Sequence, residues 1–204
     1  MGSALNILNE YWGYDSFRHP QSEIIRAVQH NKNILCLLPT GAGKSLCFQI
    51  PALMNEGVCI VITPLVALME DQVKALEAKN IKAIALTSKY NKEESIDAFD
   101  NLRFGNYKFL YLSPEKLQSE FIQQKIKQLN VNLVAVDEAH CISEWGHDFR
   151  PAYLKIPILR ELLPDVKIIA LTATATGKVM KDIIENLNLD NVQIFTKSYH
   201  TACK

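Results

Sequence analysis

The sequence predicts an α/β domain built on a mostly parallel sheet with helices on both faces. Three observations carry this reading. Short apolar runs rich in Val and Ile alternate with longer helix-periodic stretches. Most of the runs show little in–out alternation, as strands buried on both faces should. At 204 residues, 48% hydrophobic and 22% charged, the chain has material for one sizeable core without disulfide or metal staples.

Taken in order, two helices open the chain, near Ala4–Tyr11 and Pro20–His30. Pro20 suits a first turn, where its missing N–H has no helical partner to lose. Strands are expected at Asn33–Leu38, Val58–Ile62, Ala83–Leu86, Phe109–Leu112, Leu133–Val136, Lys167–Leu171 and Gln193–Phe195. Helical patterns separate them at Leu65–Lys79, Lys92–Arg103, Glu120–Leu129, Tyr153–Leu163 and Gly177–Leu187. In the first of these, Leu65, Leu68, Met69, Gln72, Val73 and Leu76 recur at helical spacing and are expected to pack on the sheet. No repeat, low-complexity segment or Gly/Ser linker divides the chain, so residues 1–204 read as a single domain, with 1–32 its N-terminal helices.

Twenty-two Lys+Arg against 22 Asp+Glu leave no net charge, which excludes a wholly basic nucleic-acid-binding domain but not a local aromatic or basic site. No apolar run reaches membrane-spanning length and no signal-peptide pattern opens the chain. The expected setting is therefore cytoplasmic. Cys36, Cys47, Cys59, Cys141 and Cys203 form no CxxC pair, and their odd number points to reduced thiols with no zinc pattern.

The first strand runs into Leu38-Pro39-Thr40-Gly41-Ala42-Gly43-Lys44-Ser45 and then an apolar helix pattern. Glycines at 41 and 43 let backbone N–H groups of Thr40–Ser45 turn inward on phosphate oxygens, and the following helix adds its positive end. Lys44 would reach the β/γ-phosphates and the Ser45 hydroxyl would ligate Mg²⁺. The general pattern asks for glycine at position 38, where this chain has Leu38. A second strand ends in Asp137-Glu138-Ala139-His140, giving a carboxylate for Mg²⁺ at Asp137 and a group to orient or deprotonate water at Glu138. Both motifs sit at strand carboxyl ends, where open α/β sheets gather ligands. Together they imply nucleoside triphosphate hydrolysis.

Pro-Thr-Gly-x-Gly-Lys-Ser followed by Asp-Glu-Ala-His resembles superfamily 2 helicases, and the flanking segments resemble the RecQ family of DNA helicases. That resemblance implies a RecA-like phosphate-loop domain using ATP and Mg²⁺, with Lys44, Asp137, Glu138 and His140 in catalysis. Trp12–Gln21 is similar to the family's adenine-recognition motif, by which Tyr14 and Arg18 would sandwich the adenine and Gln21 would bond its edge. A side-chain amide both donates and accepts, which matches adenine and mismatches guanine.

Cys141–Tyr153 resembles the family's aromatic-rich loop, which couples DNA contact to hydrolysis. It offers Trp145 and Phe149 for base stacking, with His147 and Arg150 as polar or cationic contacts. Tyr153 reads as core. Thr63-Pro64 and Ser113-Pro114 resemble strand-end motifs whose Thr63 and Ser113 would hold the DNA backbone; plain helix caps explain them equally. Thr172 and Thr174 are candidates to bond Asp137 or His140, while Thr176 also fits a cap.

The resemblance extends from about Leu5 to Phe195 and covers the first of two motor domains. The implied partners are single-stranded and partly duplex DNA and a second RecA-like domain; no zinc-binding or winged-helix element is legible. The short polar tail reads as a truncation. Ala42 stands where the family often has a third glycine, and is tolerated if its φ is negative. The rival readings are an RNA-dependent helicase or remodeller, a nucleotide-dependent binding module that unwinds nothing, and a small-molecule kinase.

Overall fold

A computed structural model describes residues 2–196. Cys203 lies outside them. Helices α1 (Gly2–Trp12) and α2 (Gln21–Gln29) lead into strand β1 (Ile34–Leu37), and α3 (Leu46–Met54) follows it. Next come β2 (Val58–Ile62), α4 (Val66–Glu77), β3 (Ala83–Leu86), α5 (Lys92–Phe104) and β4 (Phe109–Leu112). Short helices α6 (Pro114–Leu117) and α7 (Glu120–Ile126) precede β5 (Val131–Val136). Two 3₁₀ turns, Ala139–Ile142 and Pro151–Lys155, lead to α8 (Ile158–Leu162), β6 (Ile168–Thr172), α9 (Gly177–Asn186) and β7 (Gln193–Thr196).

The seven strands form one sheet in the order β3-β4-β2-β5-β6-β1-β7. Every described pairing is parallel, so the sheet is fully rather than mostly parallel. Strand side chains alternate between two cores. Leu35, Ile60, Ile62, Leu110, Leu112, Val134 and Val136 face one side; Cys36, Cys59, Val61, Phe109, Tyr111, Ala135 and Leu171 face the other. Crossover helices on both faces explain why the inner strands are mostly apolar, whereas the edge strand β7, Gln193–Thr196, is largely exposed. A third cluster, Ala4, Leu8, Ile25, Leu46 and Ile50, holds the N-terminal helices to α3. Local chemistry sets several helix starts, as at Asn91, which forms a reciprocal capping box with Glu94.

Three expectations need correction. The helix expected over Tyr153–Leu163 is a 3₁₀ turn and a separate short helix, because Pro157 cannot donate to Tyr153 and its ring crowds that carbonyl. Pro20 sits one position earlier than expected, as the residue preceding α2. In α4 only Met69 and Leu76 are buried, whereas Leu65 and Leu68 stay 44% and 41% exposed. Leu65 and Leu68 follow the carboxyl end of β2, so this exposed apolar edge lies beside the carboxyl ends of the strands. No helix among the described residues is long and apolar enough to cross a membrane.

Candidate nucleotide site and aromatic loop

Residues 38–45 leave the end of β1. Leu38 N–H still bonds Thr172 O at 3.0 Å and the side chain is fully buried, so position 38 extends the strand instead of opening the turn. That is why leucine fits there. Positive φ falls on Gly41 (+78°) and Gly43 (+75°), not on Ala42. Ser45 sits at the start of α3 and its hydroxyl makes no capping bond, leaving it unspent.

Beside this loop is a cavity of about 530 Å³ lined by Tyr14, Arg18, Gln21, Gly41 and Gly43 among others. The N-terminal motif and the phosphate loop thus meet at one place, although Gln21 and Ala42 are 21 residues apart in the chain. Tyr14 is 51% exposed at the rim. Gln21 is almost fully buried: its amide N–H₂ donates to Ala42 O at 3.1 Å and Gly43 O at 3.3 Å, and its Oε1 accepts from Arg18 N at 2.9 Å. Arg18 also reaches Gly41 O, at 3.4 Å. Gln21 therefore tethers the loop, a role its sequence position did not reveal.

Asp137 continues β5, its N–H bonded to Ile62 O at 2.8 Å. Burial first, then the neighbouring Glu138 charge, lift its carboxyl to about 6; Lys44 and the Glu138 N–H pull the other way. Glu138 takes a left-handed backbone (φ 47°), which costs a non-glycine residue about 1–2 kcal/mol and turns the chain sharply into the next 3₁₀ turn. His140 is buried. Its Nδ1 lies 2.8 Å from Thr172 Oγ1 and 3.3 Å from Glu138 Oε2, and burial lowers its pKa. Thr172 in turn donates to Thr174 O at 3.1 Å. Of the two expected threonines, Thr172 meets His140 through its hydroxyl and Thr174 contributes only its carbonyl.

The aromatic loop is braced from three directions. Tyr153 is fully buried, as expected, and its hydroxyl donates to Asp137 O at 2.9 Å. Arg150 pairs with Asp148 at 3.2 Å and donates to Pro64 O at 3.3 Å. His147 stacks on His140, centroids 4.2 Å apart. Trp145 is 65% exposed at the tip, with Lys178 Nζ 3.1 Å from its ring centroid. Phe149 is half-buried. Apart from the Arg150–Asp148 pair, two residues apart, these braces are not visible as a local pattern, because the partners lie up to 86 residues away in the chain.

Two expected DNA contacts are not presented as such. Thr63 is completely buried and its hydroxyl has no partner, so the surface there belongs to the Pro64 carbonyl and Leu65. The Ser113 hydroxyl caps α6, accepting from Lys116 N at 3.2 Å, and Thr176 caps α9 in the same manner.

The family described as DEAD/DEAH box helicase matches residues 18–183. ATP-dependent DNA helicase RecQ of Bacillus subtilis (strain 168) is 50% identical over 189 residues, covering 91% of this chain and 32% of its own length. Probable ATP-dependent DNA helicase RecS of the same organism is 45% identical over 185 residues, covering 90% and 37%. The chain thus spans about a third of these relatives. Among solved structures, the Pyrococcus furiosus Hef helicase domain superposes with a TM-score of 0.67 at 24% identity, over 90% of this chain and 38% of that one. DUF1998 helicase MrfA bound to DNA gives 0.75 at 19%, over 95% and 29%. At those identities the structural likeness speaks for the fold alone.

Proposed function

The chain belongs to the DEAD/DEAH box helicase family, with 40–50% identity to RecQ-type members, and from that premise we propose that it is the ATP-binding first motor domain of a RecQ-like DNA helicase. One observation supports this above the rest: the phosphate loop, the adenine-side cavity and the Asp137–Glu138 pair converge at the carboxyl ends of β1 and β5.

Tyr14 and Arg18 flank the base at the cavity rim, and Gln21 reads its edge once its amide releases the Ala42 and Gly43 carbonyls. The N–H groups of residues 40–45 and the Lys44 ammonium hold the phosphates. Ser45 and Asp137 fit a Mg²⁺ ion: the serine hydroxyl is uncommitted, and two adjacent carboxyls call for a cation. Bound there, Mg²⁺ would neutralise phosphate charge. Glu138 orients the attacking water and takes its proton. His140, tied to Thr172 and Glu138, links this centre to β6 and, through His147, to the aromatic loop. Trp145, Phe149, His147 and Arg150 then contact single-stranded DNA by stacking and charge, at about 1–3 kcal/mol per stacked base. Coupling of turnover to unwinding requires closure against a second RecA-like domain.

Calorimetric titration with Mg²⁺-ATP tests the nucleotide half of this reading. The chain is expected to bind one equivalent, and Lys44→Ala to weaken binding at least tenfold; unchanged affinity in that variant refutes the phosphate-loop assignment.

A further inference from the structure

His140, Cys141 and Asp148 bring a ring nitrogen, a thiol sulfur and a carboxylate oxygen within 4.8 Å of one another. His140 Nε2 lies 3.8 Å from Cys141 Sγ, which lies 3.8 Å from Asp148 Oδ2. A tetrahedral zinc ion, with Zn–S about 2.3 Å and Zn–N or Zn–O about 2.0–2.1 Å, needs S···N and S···O separations of roughly 3.5 Å. Both sulfur separations are therefore within a few tenths of an ångström of a ligating arrangement, and the ring nitrogen and carboxylate oxygen lie within 4.8 Å of each other. The other imidazole nitrogen, Nδ1, is already taken by Thr172 Oγ1 and Glu138 Oε2, which aims Nε2 at the cluster. Metal-bound histidines use this same outer pairing to fix tautomer and ring orientation. Cys141 and His140 are buried, whereas the Asp148 side chain is 49% exposed and forms the entrance.

We propose that His140, Cys141 and Asp148 form a binding site for a thiophilic divalent cation of the Zn²⁺ class, distinct from the oxygen-lined Mg²⁺ position at Ser45 and Asp137. A thiolate and an imidazole select against Mg²⁺, which prefers oxygen ligands and retains water. On binding, the Cys141 thiol proton passes to solvent. Sulfur, Nε2 and Asp148 Oδ2 each donate a lone pair, and one water completes the tetrahedron. Asp148 Oδ2 then leaves Arg150, whose Nη2 and Nε lie 3.2 and 3.3 Å from it. Occupancy joins the aromatic loop directly to the Asp-Glu-Ala-His segment and slows DNA-stimulated turnover. That regulatory consequence rests on the helicase reading; ligation does not.

Co²⁺ titrated into the reduced protein reports the site through a thiolate-to-cobalt charge-transfer band in the near ultraviolet, which Zn²⁺ should displace. One equivalent is expected. Cys141→Ser should abolish the band, and Asp148→Asn should weaken binding about tenfold or more. No band, or a band unaffected by Cys141→Ser, overturns the site. If the serine variant fails to fold, Asp148→Asn decides the matter: unchanged binding in it rejects the proposal. In the DNA-stimulated enzyme, turnover indifferent to Zn²⁺ despite the cobalt band overturns the regulatory step alone.

Discussion

Burial and the Glu138 charge raise the Asp137 carboxyl above its ordinary 3.8 to about 6. The folded state thus holds the proton more tightly than the unfolded one, and the ionised carboxylate penalises folding. The penalty is full above about pH 6, fades as pH falls, and vanishes below about 4. Asp137→Asn keeps an oxygen for the Glu138 N–H, which bonds Oδ1 at 3.0 Å. It should therefore stabilise the nucleotide-free chain at pH 8, by about 3 kcal/mol at most, and by nearly nothing at pH 4. Thermal melts of both proteins at the two pH values check this; an equal gain at both would place the effect elsewhere. Gln21 bonds the Ala42 and Gly43 carbonyls, and in the proposed nucleotide complex it would also meet the base. Gln21→Ala should weaken both ATP and GTP and narrow the preference between them, as competition titrations would show. An unchanged ATP/GTP ratio with weaker binding of both would leave it only the tether.

The phosphate loop and the aromatic loop are the elements in which sequence and structure part company most instructively. At Gly43 an added Cβ would strike the Gln21 amide nitrogen while φ stays at +75°. Gly43→Ala should therefore cost about 1–2 kcal/mol in backbone strain, displace Gln21, and weaken ATP binding. Full ATP affinity in that variant would mean that the loop and Gln21 move independently. In the aromatic loop, Tyr153→Phe removes the hydroxyl that satisfies the Asp137 carbonyl. A loss of about 1–3 kcal/mol in denaturant unfolding is expected. The inner strands were legible because each is a short apolar run between punctuated helices. Leu65 and Leu68 were misread because periodicity identifies an apolar stripe without saying whether the fold covers it. Thr63 and Ser113 were ambiguous for a related reason: a hydroxyl at a strand end serves a cap, a core or a ligand with the same local sequence.

For the molecule as a whole, seven parallel strands place two chemistry-bearing segments, far apart in the chain, on either side of β6. Gly41–Ser45 and Asp137–His140 were legible because each motif is contiguous. The connections among them were not: Tyr153 to Asp137, Arg150 to Pro64 and Lys178 to Trp145 arise only when distant elements pack. Of these the Tyr153 bond, together with the His147–His140 ring stack, joins the aromatic loop to the Asp137–His140 segment through side chains rather than through the sheet. A domain with this layout and no opposing partner is expected to bind ATP yet turn it over slowly. An arginine supplied across the closed interface is worth on the order of 10³–10⁵ in rate in such enzymes.

The most direct test compares ATP turnover, with and without single-stranded DNA, by this chain and by the same chain extended through a second RecA-like domain. Slow, DNA-insensitive turnover by the short chain and fast, DNA-stimulated turnover by the long one is the predicted result, with Glu138→Gln silencing the latter. Brisk hydrolysis by the short chain that ignores DNA would contradict the account and make the site a self-contained nucleotidase.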